Sequence, residues 1–347
     1  MEESELLFGV DPETRIPYGV SRYYASLAES EDPHTDPVAA QYIPRAGERT
    51  TTALESADPI SDRDFEVSPR LIHHYRDRAL MLVNDRCATY CRHCFRRHFT
   101  GHGAGRISGE ELEKACDYLR VHEEIQEILL SGGDPLMLDD GSLFSIIDRL
   151  REVREVLIRV CTRMPVVLPR RVTDVLASGL GNRLPAWVVV QVNHPRELTD
   201  EFAGAVGRLL RSGVSVANQA VLLRGINDEV DVLESLFRGL QRLGVRPYYL
   251  FQGDLAAGTS HFRVPIERGI EIMRGLRSRL SGLAVPVYAV DLPGGGGKVP
   301  VESSLRRTEK HQYILIDAEG REWSYPRELV DRPVQRAREC PGRDGLR

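Results

Sequence analysis

The sequence predicts an α/β fold of consecutive parallel strand–helix units, and three observations predict it. Short apolar, β-branched runs recur at Ala79–Val83, Ile125–Leu130, Leu157–Cys161, Trp187–Val192, Val214–Ala217 and Pro247–Phe251. Each of the first five is followed by a segment with helical periodicity. Their starts lie 46, 32, 30, 27 and 33 residues apart, close to the length of one strand–helix unit. Six units are too few for a closed eight-stranded barrel. They suit a curved, partly open (βα)6 barrel, with a doubly wound sheet as the competing arrangement. In either case ligands belong at the carboxyl ends of the strands.

Residues 1–65 are rich in Pro and Asp, with a helix expected around Tyr18–Leu27. They form an N-terminal extension that packs on the core or on a second copy of the chain. The core spans 66–298. Its first long helix opens at Ser108-Gly-Glu-Glu111, a capping box ahead of Leu112, Ala115 and Leu119. Further helices are expected at Thr199–Arg211, at Asp228–Leu240 with Leu233, Leu236 and Leu240 on one face, and at Pro265–Leu280. Residues 299–347 are a polar C-terminal extension with a hairpin at Tyr313–Tyr325 that turns at Glu319-Gly320.

With 347 residues, 41% hydrophobic and 28% charged, the chain can bury one large core plus extensions. Forty-six basic residues against 51 acidic ones give a net charge of −5, which leaves no overall basic field for nucleic acid. No stretch approaches the roughly 20 apolar residues of a membrane helix. The acidic start, Met1-Glu2-Glu3-Ser4-Glu5, lacks an apolar signal region. Several unpaired thiols fit a reducing compartment, so a soluble, cytoplasmic enzyme is expected.

Three motifs carry chemistry. Cys87-Ala-Thr-Tyr-Cys91-Arg-His-Cys94 follows the first strand. Three thiolates on one short loop can close on an iron–sulfur cluster but leave a four-iron cluster one ligand short, with an open iron. Zinc is the alternative, but zinc sites favour paired cysteine or Cys/His groups, and Cys116, Cys161 and Cys340 are scattered. Ser131-Gly132-Gly133-Asp134-Pro135 follows the second strand. Its glycines let the backbone approach a ligand, and Asp134 can accept from an ammonium, although an ordinary strand-to-helix turn uses the same residues. The third motif is Asp291-Leu-Pro-Gly294-Gly295-Gly296-Gly297-Lys298. It is no Walker A loop, because Val299 and Pro300 supply neither the hydroxyl nor the helix. A flexible loop with an incidental lysine and a lysine in covalent linkage to pyridoxal 5′-phosphate (PLP) both remain.

The CxxxCxxC spacing resembles that of radical S-adenosylmethionine (SAM) enzymes, whose open iron chelates SAM for cleavage to a 5′-deoxyadenosyl radical. Phe95-Arg96-Arg97, Asn193-His194-Pro195, Asn218-Gln219, Tyr248-Tyr249 and Asp291–Lys298 follow in order. Over residues 66–300 the pattern resembles the lysine 2,3-aminomutase family. The resemblance implies a partial (βα)6 radical SAM barrel with a [4Fe–4S] cluster on Cys87, Cys91 and Cys94. SAM would be held by Gly132, Gly133 and Asp134, and PLP by Lys298, with Gln219 a further cofactor contact. Tyr75 and Arg78 would hold the PLP phosphate, and His74 stands where better-known members carry arginine.

The same resemblance assigns Arg96 to the substrate carboxylate, and Asp254 and Asp291 to the far ammonium of lysine. That acidic pair would repel the side chain of glutamate. The implied reaction is an isomerisation of L-α-lysine to β-lysine by 2,3-amino migration, with radical chemistry because the C3 hydrogen is not acidic. The alternatives are an aminomutase for arginine or glutamate, a radical SAM enzyme without PLP, and a cluster protein that only transfers electrons. An electron donor such as flavodoxin or ferredoxin is implied, and assembly into a homo-oligomer is allowed. Glu229 stands where longer relatives place a zinc cysteine, and their C-terminal cysteine cluster is missing, so no structural zinc is expected.

Overall fold

In the computed structural model, which describes residues 6–10 and 17–327, ten strands share one sheet in strict chain order. They are β1 (Glu66–Ser68), β2 (Leu71–Tyr75), β3 (Arg78–Asn84), β4 (Glu127–Gly132), β5 (Leu157–Thr162), β6 (Ala186–Val190), β7 (Ser215–Leu222), β8 (Arg246–Gln252), β9 (Val287–Leu292) and β10 (Gly297–Pro300). β3 through β9 run parallel. β1, β2 and β10 are antiparallel additions at the two edges. Sequential order has no point where the winding reverses, which rules out the doubly wound alternative. The six expected parallel strands are all present, and Val287–Leu292 adds a seventh. Its six residues run straight into the glycine motif, so nothing in the sequence separated strand from loop.

The sheet curls until its ends meet. His74 on β2 donates from Nε2 to the carbonyl of Gly295 at 3.0 Å, and the backbone N–H of Lys298 on β10 donates to the Tyr75 hydroxyl at 3.0 Å. Side chains close this seam where a complete barrel would use a backbone ladder.

Six helices cover the sheet: α1 (Gly109–Val121), α2 (Asp140–Val153), α3 (Asp174–Gly181), α4 (Asp200–Arg211), α5 (Val230–Arg242) and α6 (Ile266–Arg279). The Ser108–Glu111 capping box opens α1, and Thr199 caps α4 by accepting from the Phe202 N–H. α4 buries Phe202, Ala205, Val206 and Leu209, and α5 buries Leu233, Leu236, Phe237 and Leu240, stripes at helical spacing. Strand residues divide with period two. Ile128 and Leu130, Ile158 and Val160, and Ala220 and Leu222 are fully buried in the core. The intervening Leu129 and Ser131, Arg159 and Cys161, and Gln219 and Val221 line a cavity on the other face. That alternation delivers polar side chains to the barrel interior.

The expected helix at Tyr18–Leu27 is corrected. Pro17–Ser21 pairs antiparallel with Leu6–Val10, and only Arg22–Ser26 is helical, capped by Ser21. The pairing partner decides it, since a strand gains its hydrogen bonds only across to another segment. The C-terminal hairpin is present as Gln312–Ile316 with Glu322–Pro326, joined by Leu305–Thr308 in a three-stranded sheet. Cys340 lies outside the described residues.

Candidate active site

β9 and β10 form a hairpin whose register sets Asp291 directly opposite Lys298. Directly opposed residues on antiparallel strands project to the same face. The Lys298 ammonium accordingly lies 3.2 Å from Asp291 Oδ1 and 4.5 Å from the centre of the Phe251 ring. Burial works against its charge, but Asp291, the Tyr75 hydroxyl and Asp254 more than offset it, so the group is held above an ordinary lysine. Packing forces the two middle glycines of the run. A Cβ on Gly295 would meet the Phe65 ring at 2.7 Å, and one on Gly296 would meet Trp323 at 2.7 Å.

Both halves of the acidic pair line a cavity of about 270 Å³. Asp254, in the loop after β8, has its carboxyl pushed up to about 8 by burial and then by the Asp291 carboxylate, with Lys298 pulling it down. His74, Tyr75, Arg78 and Gln219 also line the cavity. Arg78 lies over the Tyr75 ring at 4.0 Å, and His74 stacks between Phe65 and Tyr75 at 4.0 and 4.6 Å. Arg96 is buried in the same wall. Its Nε donates to Asp62 at 2.8 Å and its Nη1 lies 3.4 Å from Ser131 Oγ. The Asp62 contact fixes the guanidinium plane and leaves its Nη edge toward Ser131 and the cavity.

Cys91 and Cys94 line the cavity as well, while Cys87 lies beside them in the loop. Burial pushes the Cys87 thiol well up, and Asp134, Cys94 and Cys91 push it further. Burial and Cys91 act in the same direction on Cys94. Each thiolate formed raises the cost of ionising the next, a cost that a bound cation removes.

Gly132 and Gly133 have a packing task. Gly132 has φ +113°, and a Cβ on Gly133 would stand 2.3 Å from the Arg86 carbonyl oxygen. The glycines let the end of β4 seat the cysteine loop, and neither lines the cavity. Asp134 is tied into the same junction. Its Oδ1 accepts from the Leu136 N–H at 2.9 Å and the Thr162 hydroxyl at 2.6 Å, and its Oδ2 accepts from the Arg163 N–H at 2.7 Å. The carboxylate is a strut between two loops. Gly133→Ala should lower stability by about 1–3 kcal/mol through overpacking and displace the cysteine loop. Thermal unfolding and iron content measure both effects, and an unchanged melting temperature would refute the tight seat.

Sequence reading missed Asp62, Arg159 and Arg163. Asp62 lies in a Pro- and Asp-rich extension without a motif. Arg159 on β5 lines the cavity and pairs with Glu127 at 2.7 Å. A charged residue inside a predicted core strand was the available signal.

Family models match two segments: residues 81–236 to the radical SAM superfamily and residues 270–334 to lysine-2,3-aminomutase. The L-lysine 2,3-aminomutase of Clostridium subterminale is 43% identical over 86% of this chain and 71% of its own. The chain belongs to the lysine 2,3-aminomutase family. A putative L-lysine 2,3-aminomutase of Aquifex aeolicus is 45% identical over 82% of this chain and 77% of its own. The glutamate 2,3-aminomutase of Clostridioides difficile is 36% identical over 87% and 72%. Membership in this family makes the chain a radical SAM isomerase with a [4Fe–4S] cluster, SAM and PLP. Its residues suit that set: three unpaired cysteines on one loop, two of them lining a cavity, and a lysine lining the same cavity. Among the described residues no helix is long and apolar enough to cross a membrane.

Proposed function

We propose that this aminomutase converts L-α-lysine to β-lysine by moving the amino group from C2 to C3. One observation carries the choice of lysine. A primary ammonium, that of Lys298 itself, already rests against Asp291 inside the cavity, with Asp254 adding its charge. Linkage of Lys298 to PLP would withdraw that positive charge and leave Asp291, and Asp254 once ionised, for a second ammonium. Arg96, braced by Asp62, is the cation for the substrate carboxylate. Tyr75 fixes the Lys298 backbone, and the enclosed wall limits water around the reacting carbons. When bound, the cluster and SAM supply a hydrogen-abstracting radical, and PLP carries the nitrogen between carbons. A glutamate side chain would face the Asp291 carboxylate and, once Asp254 ionises, a second like charge.

The assignment of Cys87, Cys91 and Cys94 to the cluster and of Lys298 to PLP belongs to the same proposal. So does a ferredoxin or flavodoxin as one-electron donor. Five unpaired cysteines among the described residues favour a reducing, cytoplasmic setting. An anaerobic assay against lysine, arginine, glutamate and alanine tests the reading, which predicts turnover of lysine far above the others. A preference for a neutral or acidic amino acid would refute it.

Asp291→Asn and Asp254→Asn should each lower kcat/KM for lysine about ten- to a hundredfold, the loss of one charge-assisted contact worth about 1.5–3 kcal/mol. Neither should prevent PLP or SAM binding. Because Asp254 must lose its proton to grip an ammonium, wild-type kcat/KM for lysine should rise as pH passes upward through about 8. Withdrawal of the Lys298 charge moves that inflection higher, and Asp254→Asn should abolish it. Unchanged kinetics in both variants would remove the acidic pair from substrate recognition.

A further inference from the structure

Arg163 stands immediately after β5, within the β5–α3 connection, and is none of the residues so far given a role in substrate binding. It is buried at 7% exposure, yet its guanidinium reaches two kinds of partner. Nη1 lies 2.9 Å from the Cys91 sulfur. Nη2 is held by Glu197 Oε1 at 2.6 Å, Gln41 Oε1 at 2.5 Å and the Tyr24 hydroxyl at 2.8 Å. Tyr24, Gln41 and Glu197 are all fully buried.

The assembly is tightly determined. Tyr24 donates to Glu197 Oε1 at 2.6 Å, and Glu197 Oε2 accepts from the Asn193 and His194 N–H groups at 2.6 and 2.8 Å. The Arg163 backbone N–H is itself tied to Asp134. Three separate segments, the N-terminal extension, the turn after β6 and the loop after β5, therefore converge to aim one guanidinium at one sulfur. An ordinary buried ion pair needs only Glu197. The glutamate charge is shared with two backbone donors on its far side, so the positive end of the pair faces the sulfur.

We infer that Arg163 is a positioning residue that raises the reduction potential of the iron–sulfur cluster through the Cys91 sulfur. The one-electron step adds negative charge to the cluster and its thiolates, the electron coming from an external low-potential donor. A fixed donor and cation at a ligand sulfur stabilise that reduced form more than the oxidised one. Arginine suits the position because it remains charged when buried and its planar fork serves both sides at once. The inference rests on Cys91 as a cluster ligand.

The test is a redox titration of the anaerobically reconstituted full-length protein, without SAM, followed by electron paramagnetic resonance of the reduced cluster. Iron and sulfide contents are read first. A Cys91→Ala variant with a complete cluster would strike the ligand assignment beneath the inference, separately from the role of Arg163. Arg163→Gln should make the reduction equilibrium at least tenfold less favourable, a fall of about 59 mV for a one-electron couple. Arg163→Lys should recover part of that fall. Tyr24→Phe frees one anchor of the guanidinium without unpairing a charge, and should shift the potential in the same direction by less. Full iron with an unchanged potential in both Arg163→Gln and Tyr24→Phe overturns the inference. Should Arg163→Gln fail to hold iron, Arg163→Lys and Tyr24→Phe decide: an unchanged potential in both overturns it, and a lowered one sustains it.

Discussion

Lys298→Ala is expected to abolish lysine aminomutation while leaving the cluster able to bind and cleave SAM. The two halves of the chemistry rest on different parts of the sheet. Lys298 belongs to β10 at the last edge, whereas the cysteine loop follows β3 and is seated by β4. Alanine removes the amine that PLP would engage and disturbs no contact of the three thiols. It also leaves Asp291 and Asp254 without the ammonium that now separates their charges. Since Lys298 pulls the Asp254 carboxyl down, the variant should hold that proton to a pH above about 8. The PLP absorbance band should vanish and β-lysine should fall below detection. Reductive formation of 5′-deoxyadenosine should persist. A variant retaining both the band and the product would assign PLP to another lysine.

Cys91→Ala should have an effect of similar size by a different route. A cluster with three protein ligands has none to spare, so the loss of one leaves incomplete iron loading and no cleavage of SAM. The structure adds a second consequence, because Cys91 is also the partner of Arg163 Nη1. Removing the sulfur leaves a buried guanidinium edge without its acceptor, which destabilises the loop from the side of the N-terminal extension. Cys116→Ala is the contrast. Cys116 is fully buried on α1 in the hydrophobic core, so its loss should spare the cluster and cost only packing. Cys161 lines the cavity with Arg159 and Arg96, and its thiol is pushed up to about 11, chiefly by burial. Cys161→Ala should likewise keep its iron. Iron and sulfide analysis with 5′-deoxyadenosine formation distinguishes these variants, and normal iron and turnover in Cys91→Ala would sink the ligand assignment.

Much of the architecture was legible because it follows local rules. The strand runs, the Ser108–Glu111 capping box and the apolar faces of α4 and α5 depend on periodicity and end chemistry, which neighbours in sequence carry. The cysteine spacing and the glycine run before Lys298 were legible for the same reason. Where reading went astray, a distant segment decided the outcome. Pro17–Ser21 is a strand because Leu6–Val10 lies beside it. Val287–Leu292 is the seventh parallel strand because β8 offers its free edge. The contacts of Asp134 with Thr162 and the Arg163 N–H were hidden for the same reason, since they form only after β5 has packed beside β4.

The sequence by itself determined the units of the barrel, the three thiols with their spacing, and the two aspartates proposed to receive a basic side chain. Tertiary structure alone decided how these act together. It set Asp291 opposite Lys298 through hairpin register, closed the sheet through His74 and Tyr75, and braced Arg96 with Asp62. It also brought Tyr24, Gln41 and Glu197 around Arg163. Apart from the Asp291–Lys298 hairpin, these partners are tens to hundreds of residues apart in the chain. No local pattern encodes them, because a buried charge chooses its partner by desolvation and distance in the folded state.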